Sequence, residues 1–95
     1  MSPLSSEAAA ALALDALNWI ASDSERASGF LGASGADLAG LRARAQEPDF
    51  LGFVLDHLLS DDSAVLSFAE ETSHRPEHVA LARAALPGGD LPSWT

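Results

Sequence analysis

Signals that start or stop an α-helix recur so densely along this chain that little room is left for a strand. Ser5 or Ser6 stands before "EAAAALALDALNWIA", where Leu12, Ala16, Trp19 and Ile20 fall at helical spacing and the alanines supply propensity. "SDSE", Ser22 to Glu25, has the Ser-x-x-Glu form of a capping box, so a second short helix is expected to start there. It should turn Ala27, Phe30 and Leu31 inward until Gly32 and Gly35 end it. A third helix through "ADLAGLRARAQ" places Leu38, Leu41 and Ala45 on one face. Pro48 then reopens helix at a first-turn position, where its missing N–H costs nothing.

The segment that follows, "DFLGFVLDHLL", is apolar nearly all round, as a helix in the middle of a small bundle is. Asp61 and Asp62 cap a fifth helix with Val65, Leu66, Phe68 and Ala69 apolar, and Pro76 opens a sixth through Val79, Ala82 and Leu86. "PGGDLPSWT" stops helix outright and reads as a mobile tail. The expected fold is all-α: a compact orthogonal bundle of five or six short helices in one domain, 1–86, with a flexible C-terminal tail, 87–95. Helix should exceed about 60% of the chain, with no strand.

The chain also repeats itself. Shifted by 38 positions, Leu17, Ile20, Ser22, Asp23, Phe30, Ser34 and Leu41 meet Leu55, Leu58, Ser60, Asp61, Phe68, Thr72 and Val79. Each half then reads helix, acidic cap, short helix with a central Phe, turn, helix, as two related three-helix units would.

At 95 residues there is one modest core and little room for a deep active site. Five arginines, no lysine and fourteen acids give a net charge of −9, a field that repels phosphate backbones and anionic lipid heads. Without cysteine there is no disulfide framework, thiolate metal site or thiol nucleophile. The apolar run Ala8 to Leu14 has the look of a signal-peptide core, but no basic residue precedes it and Glu7 and Asp15 flank it, so a cytoplasmic protein is expected. No run approaches the length of a membrane span.

At these residues the chain resembles a known family. The pattern is Phe30-Leu31 before Ser34-Gly35, Leu41-Arg42, Pro48 with Phe50-Leu51, Val54-Leu55-Asp56, Asp61-Asp62, Phe68-Ala69, and Pro76-Glu77 with Ala82-Arg83. It is similar to a family of small, mostly alphaproteobacterial proteins known only as a domain of unknown function, and the likeness runs from about Leu12 to Leu86. Where relatives carry an apolar residue and Gly in the turn before the proline, this chain has Thr72-Ser73-His74-Arg75. The resemblance implies an all-helical cytoplasmic protein and supplies no activity or catalytic residue.

Candidate sites are few. His74 and His78 stand at the i, i+4 spacing of a two-histidine metal site, but a helix opened by Pro76 leaves His74 outside it, and Arg75 sets a fixed positive charge beside any cation. No metal is expected, and no cofactor. His57 lies beside Asp56, as an imidazole oriented by a carboxylate for acid-base work would. No nucleophile elbow or phosphate loop accompanies it, so an edge-of-core histidine and a non-enzyme are expected.

Residues 64–86 form a helix-turn-helix pattern, the basis of a rival reading as a degenerate nucleic-acid-binding protein. Its second helix carries Glu77, His78 and Arg83, close to neutral where a reading helix is basic. Arg42 and Arg44, two positions apart, point to different sides of their helix and make no patch.

The acids Asp15, Asp23, Asp56, Asp61, Asp62, Glu70 and Glu71 include helix caps, yet together they offer a negative surface that would steer in a basic partner protein. Asp61, Asp62, Glu70 and Glu71 are the candidate partner surface, joined by Trp94 of the tail, a residue type enriched at interface hot spots. The expected function is that of a non-enzymatic protein-interaction or regulatory accessory module.

Overall fold

The computed structural model describes residues 4–35, 37–45 and 47–86; the tail 87–95, with Trp94, lies outside the described residues. Among the described residues there are six helices and no strand, and 82% are helical. They are α1 (Ser6–Ala21), α2 (Ser24–Ser34), α3 (Leu38–Arg44), α4 (Pro48–Leu59), α5 (Asp62–Thr72) and α6 (Pro76–Ala85).

Helix α1 starts where Ser5 accepts a 3.0 Å hydrogen bond from the Ala8 amide. It buries Ala9, Leu12, Ala13, Ala16, Leu17, Trp19 and Ile20 along one face. The alanines in that face let neighbouring backbones approach closely, and α1 packs against α2, α4, α5 and α6. Helix α4 begins with Pro48 in its first turn and buries Phe50, Leu51, Gly52, Val54, Leu55 and Leu58. It packs on α1, α5 and α6, the central place its apolar composition predicts. Phe30, Val54, Leu55, Phe68, Val79 and Ala82 are fully buried, and no polar or charged residue is buried among the described residues.

Two local readings of the sequence are corrected. The cap of α2 is Asp23 and not Ser22: Asp23 is extended (φ −125°, ψ 129°) and its Oδ2 accepts from the Arg26 amide at 3.0 Å. Ser22 closes α1 instead, in helical conformation, donating its hydroxyl to the Trp19 carbonyl at 2.7 Å. A capping box needs its Glu three residues after the cap, and with Asp23 as cap that place falls to Arg26, so Glu25 is left pointing outward without a capping role. Gly32 does not end α2 either. A mid-helix glycine costs about 1 kcal/mol without breaking the ladder, and the stop comes at Gly35, whose φ of 71° is left-handed.

The repeat is carried into the structure. Ser24 to Asp62 and Ser34 to Thr72 are both steps of 38 residues, so α2 and α5 begin and end in register, and α3 and α6 open at the same spacing. Asp23 and Asp61 cap the two middle helices. Ser22 and Ser60 close α1 and α4 with the same hydroxyl-to-carbonyl bond, at 2.7 and 2.6 Å. Both middle helices end on a left-handed residue, Gly35 (φ 71°) and Ser73 (φ 62°). Ser73 takes a conformation that favours glycine without being one.

The two units do not sit side by side. Trp19 of α1 packs edge-on against Phe68 of α5, with centroids 5.8 Å apart, while His57 of α4, 38 positions after Trp19, packs edge-on against Phe30 of α2 at 5.0 Å. Each phenylalanine anchors the core through a ring from the other unit. The halves are interlocked, and one core serves both.

Candidate functional site

All four described members of the candidate partner surface are exposed. Asp61 caps α5, its Oδ1 accepting from the Ser63 amide at 3.0 Å, and Asp62 follows in the first turn, where its charge favours the helix dipole. Asp62, Leu66 and Glu70 are spaced by four residues on α5, so they form one outward strip about 12 Å long. Leu66 is 60% exposed. Among the described residues neither Asp62 nor Glu70 has an ion-pair partner.

Glu71 has a different duty. Its Oε1 accepts from the Trp19 indole Nε1 at 3.0 Å, fastening α5 to α1 and satisfying the donor of a nearly buried ring. Other acids of the broad negative surface are similarly engaged. Asp15 accepts from His74 Nε2 at 2.9 Å, Asp23 is a cap, and Asp56 holds Arg83 by two bonds of 2.6 and 3.1 Å. The outward strip of α5 is what these commitments leave at the centre of the candidate surface. Trp94 lies outside the described residues.

The histidines are placed apart from one another in role. His74 lies flat against Phe68, at 5.5 Å between centroids, and bonds to Asp15; it belongs to the turn before α6, whereas His78 is within the helix. Among the described residues no three of His, Asp or Glu gather as metal ligands. His57 is half-buried on Phe30, and its neighbour Asp56 is committed to Arg83 rather than to the imidazole. Its ring makes no hydrogen bond among the described residues, although it lines a cleft between α1, α2, α4 and α5 that also contains Glu25, Arg26, Ser60 and Asp61.

The arginines are mostly spent within the fold. Arg26 lies 3.8 Å over the Trp19 ring and donates to the Trp19 carbonyl. Arg44 lies over Phe50 and pairs with Glu47 at 3.7 Å. Arg83, the cation that a reading helix would present, is held by Asp56. Along α6 the described residues offer Arg75 at the N-cap and the committed Arg83, which make no continuous positive stripe.

A small bundle of six helices with an acidic strip on α5 is the class that the described residues define. The chain belongs to the family described as "Protein of unknown function (DUF3572)", whose model matches residues 6–89. No curated protein matches the chain, and no solved structure does. Among the described residues no helix is long and apolar enough to cross a membrane.

Proposed function

We propose that this chain is a non-enzymatic protein-interaction module of the cytoplasm, docking a basic partner protein through the outward strip of α5. The observation that carries this reading is Leu66: a large apolar side chain, 60% exposed, held one turn from a carboxylate on either side that has no ion-pair partner among the described residues. Burying such a side chain against a partner gains about 1.5–3 kcal/mol, and the flanking Asp62 and Glu70 select a partner that brings positive charge to the rim. A non-enzymatic role is supported by His57, whose ring makes no hydrogen bond to a carboxylate or a hydroxyl among the described residues.

The experiment is affinity capture from the native cell with the parent chain, a Leu66→Ser variant and an Asp62→Asn/Glu70→Gln variant, read by quantitative mass spectrometry. A basic protein retained by the parent and depleted by both variants is the expected result. Retention indifferent to both variants would remove α5 as the docking surface.

A further inference from the structure

The cleft between the two repeat units has a construction that packing alone does not require. It measures about 260 Å³, below the roughly 300 Å³ at which pockets for whole small molecules begin. That leaves room for an inserted side chain. Its apolar lining comes from both units: Ile20 and Leu58 are repeat equivalents and almost fully covered, and Ala64, the equivalent of Arg26, is half-buried.

The mouth is acidic. Glu25, freed from any capping role because Asp23 caps α2, stands there with Asp61, and neither has a salt bridge among the described residues. Asp61 spends one oxygen on the Ser63 amide and keeps its charge. Arg26 also lines the cleft, but its guanidinium is laid on the Trp19 ring and bonded to the Trp19 carbonyl and Ser22, so it builds one wall. Two carboxylates against one committed guanidinium leave the mouth negative in a chain of net charge −9.

The geometry points to this cleft as a socket for a lysine or arginine side chain of the basic partner. The aliphatic stem lies against Ala64 and the half-buried His57 ring, above the covered Ile20 and Leu58, and the cationic head is held between Glu25 and Asp61. The assignment rests on the proposed interaction role and adds to it a second anchor, beside the N-terminus of α5. A stem on apolar floor with a charged head at the rim satisfies both linings at once, which neither an anion nor a purely apolar group does.

The test uses the full chain, isotope-labelled for nuclear magnetic resonance, with Nα-acetyl-lysine amide and Nα-acetyl-arginine amide as probes. The controls are Nα-acetyl-norleucine amide, which has a stem without charge, and Nα-acetyl-glutamate amide, which reverses it. Saturable shifts at the Trp19 indole and the Gly29, Leu58 and Ala64 amides are expected with a cationic probe. Glu25→Gln/Asp61→Asn should weaken that binding about tenfold or more, since charge-assisted bonds are the strong ones, while Asn still caps α5. Asp62→Asn/Glu70→Gln should leave it unchanged, and Ala64→Leu should abolish it by filling the cleft.

Equal binding of the norleucine probe, preference for the glutamate probe, or no binding of any probe at these residues would each overturn the socket. Cationic shifts confined to Leu66 and Glu70 would overturn it while leaving the α5 strip standing. Failure of the socket is thereby separated from failure of the interaction reading.

Discussion

Replacing Ser73 by glycine should stabilise this protein. Ser73 is the one non-glycine residue with positive φ among the described residues, at φ 62° and ψ 27°. Its conformation is imposed by the end of α5, where the His74 amide reaches back to the Ala69 carbonyl at 3.1 Å. Holding a side chain in left-handed geometry costs about 1–2 kcal/mol, and glycine returns up to about 1 kcal/mol of that through the greater freedom of its unfolded chain. The net gain should be about 0.5–1 kcal/mol, because Ser73 is exposed and its side chain makes no hydrogen bond among the described residues.

For a domain of this size that corresponds to a rise of about 2–8 °C in Tm. Gly35 offers the mirrored test. It closes α2 at the equivalent place with φ 71°, and an added Cβ there meets nothing within 4 Å, so Gly35→Ser reports backbone strain alone. It should destabilise by about the amount that Ser73→Gly gains. The assay is urea denaturation followed by far-ultraviolet circular dichroism, with the midpoint compared at unchanged m value. A Ser73→Gly protein no more stable than the parent would refute the assignment of strain to this turn, and a neutral Gly35→Ser would refute the equivalence of the two helix ends.

Other perturbations test the interlocked core. Phe30→Ala and Phe68→Ala each empty a fully buried site and should cost about 3–5 kcal/mol by denaturant titration; a variant that melts like the parent would contradict its place in the core. Glu71→Ala removes the acceptor of the Trp19 indole and should cost about 1–3 kcal/mol, whereas Glu71→Gln keeps an acceptor and should cost less. Equal losses would show the hydrogen bond to be irrelevant. Because Trp19 packs on Phe68 and His57 on Phe30, a chain cut in the loop between α3 and α4 should give halves that are unfolded alone and helical when mixed. A half that folds by itself in circular dichroism would disprove the interlock.

The sequence discloses what is local. Helix starts at Pro48, Asp61 and Pro76 are legible because a cap or a proline acts within its own turn. Their inward residues follow from the period of 3.6. Errors arise where two local signals compete: "SDSE" offers Ser22 and Asp23 as caps, and the choice depends on Ser22 finishing α1. The repeat register is legible too, because caps and the two phenylalanines recur at one spacing.

Partnership between distant residues is not legible. Glu71 reads as one more surface acid until Trp19, 52 residues away, is brought to it. Asp15 with His74 and Asp56 with Arg83 are likewise products of packing. Charge counting therefore outlines an acidic surface but does not tell free acids from committed ones. The α5 strip and the cleft emerge only when those commitments are known.

The central claim, that the α5 strip steers a basic partner, is tested most directly by association kinetics. The captured partner is immobilised, and the parent and Asp62→Asn/Glu70→Gln chains are compared by surface plasmon resonance at low and physiological salt. Glu71 is left intact because it holds Trp19. Steering acts beyond contact distance and is screened as the Debye length shortens to about 8 Å at physiological strength. The double variant should therefore associate several-fold more slowly than the parent at low salt, with the difference shrinking as salt rises and dissociation nearly unchanged. An association rate indifferent to both salt and substitution would contradict the claim.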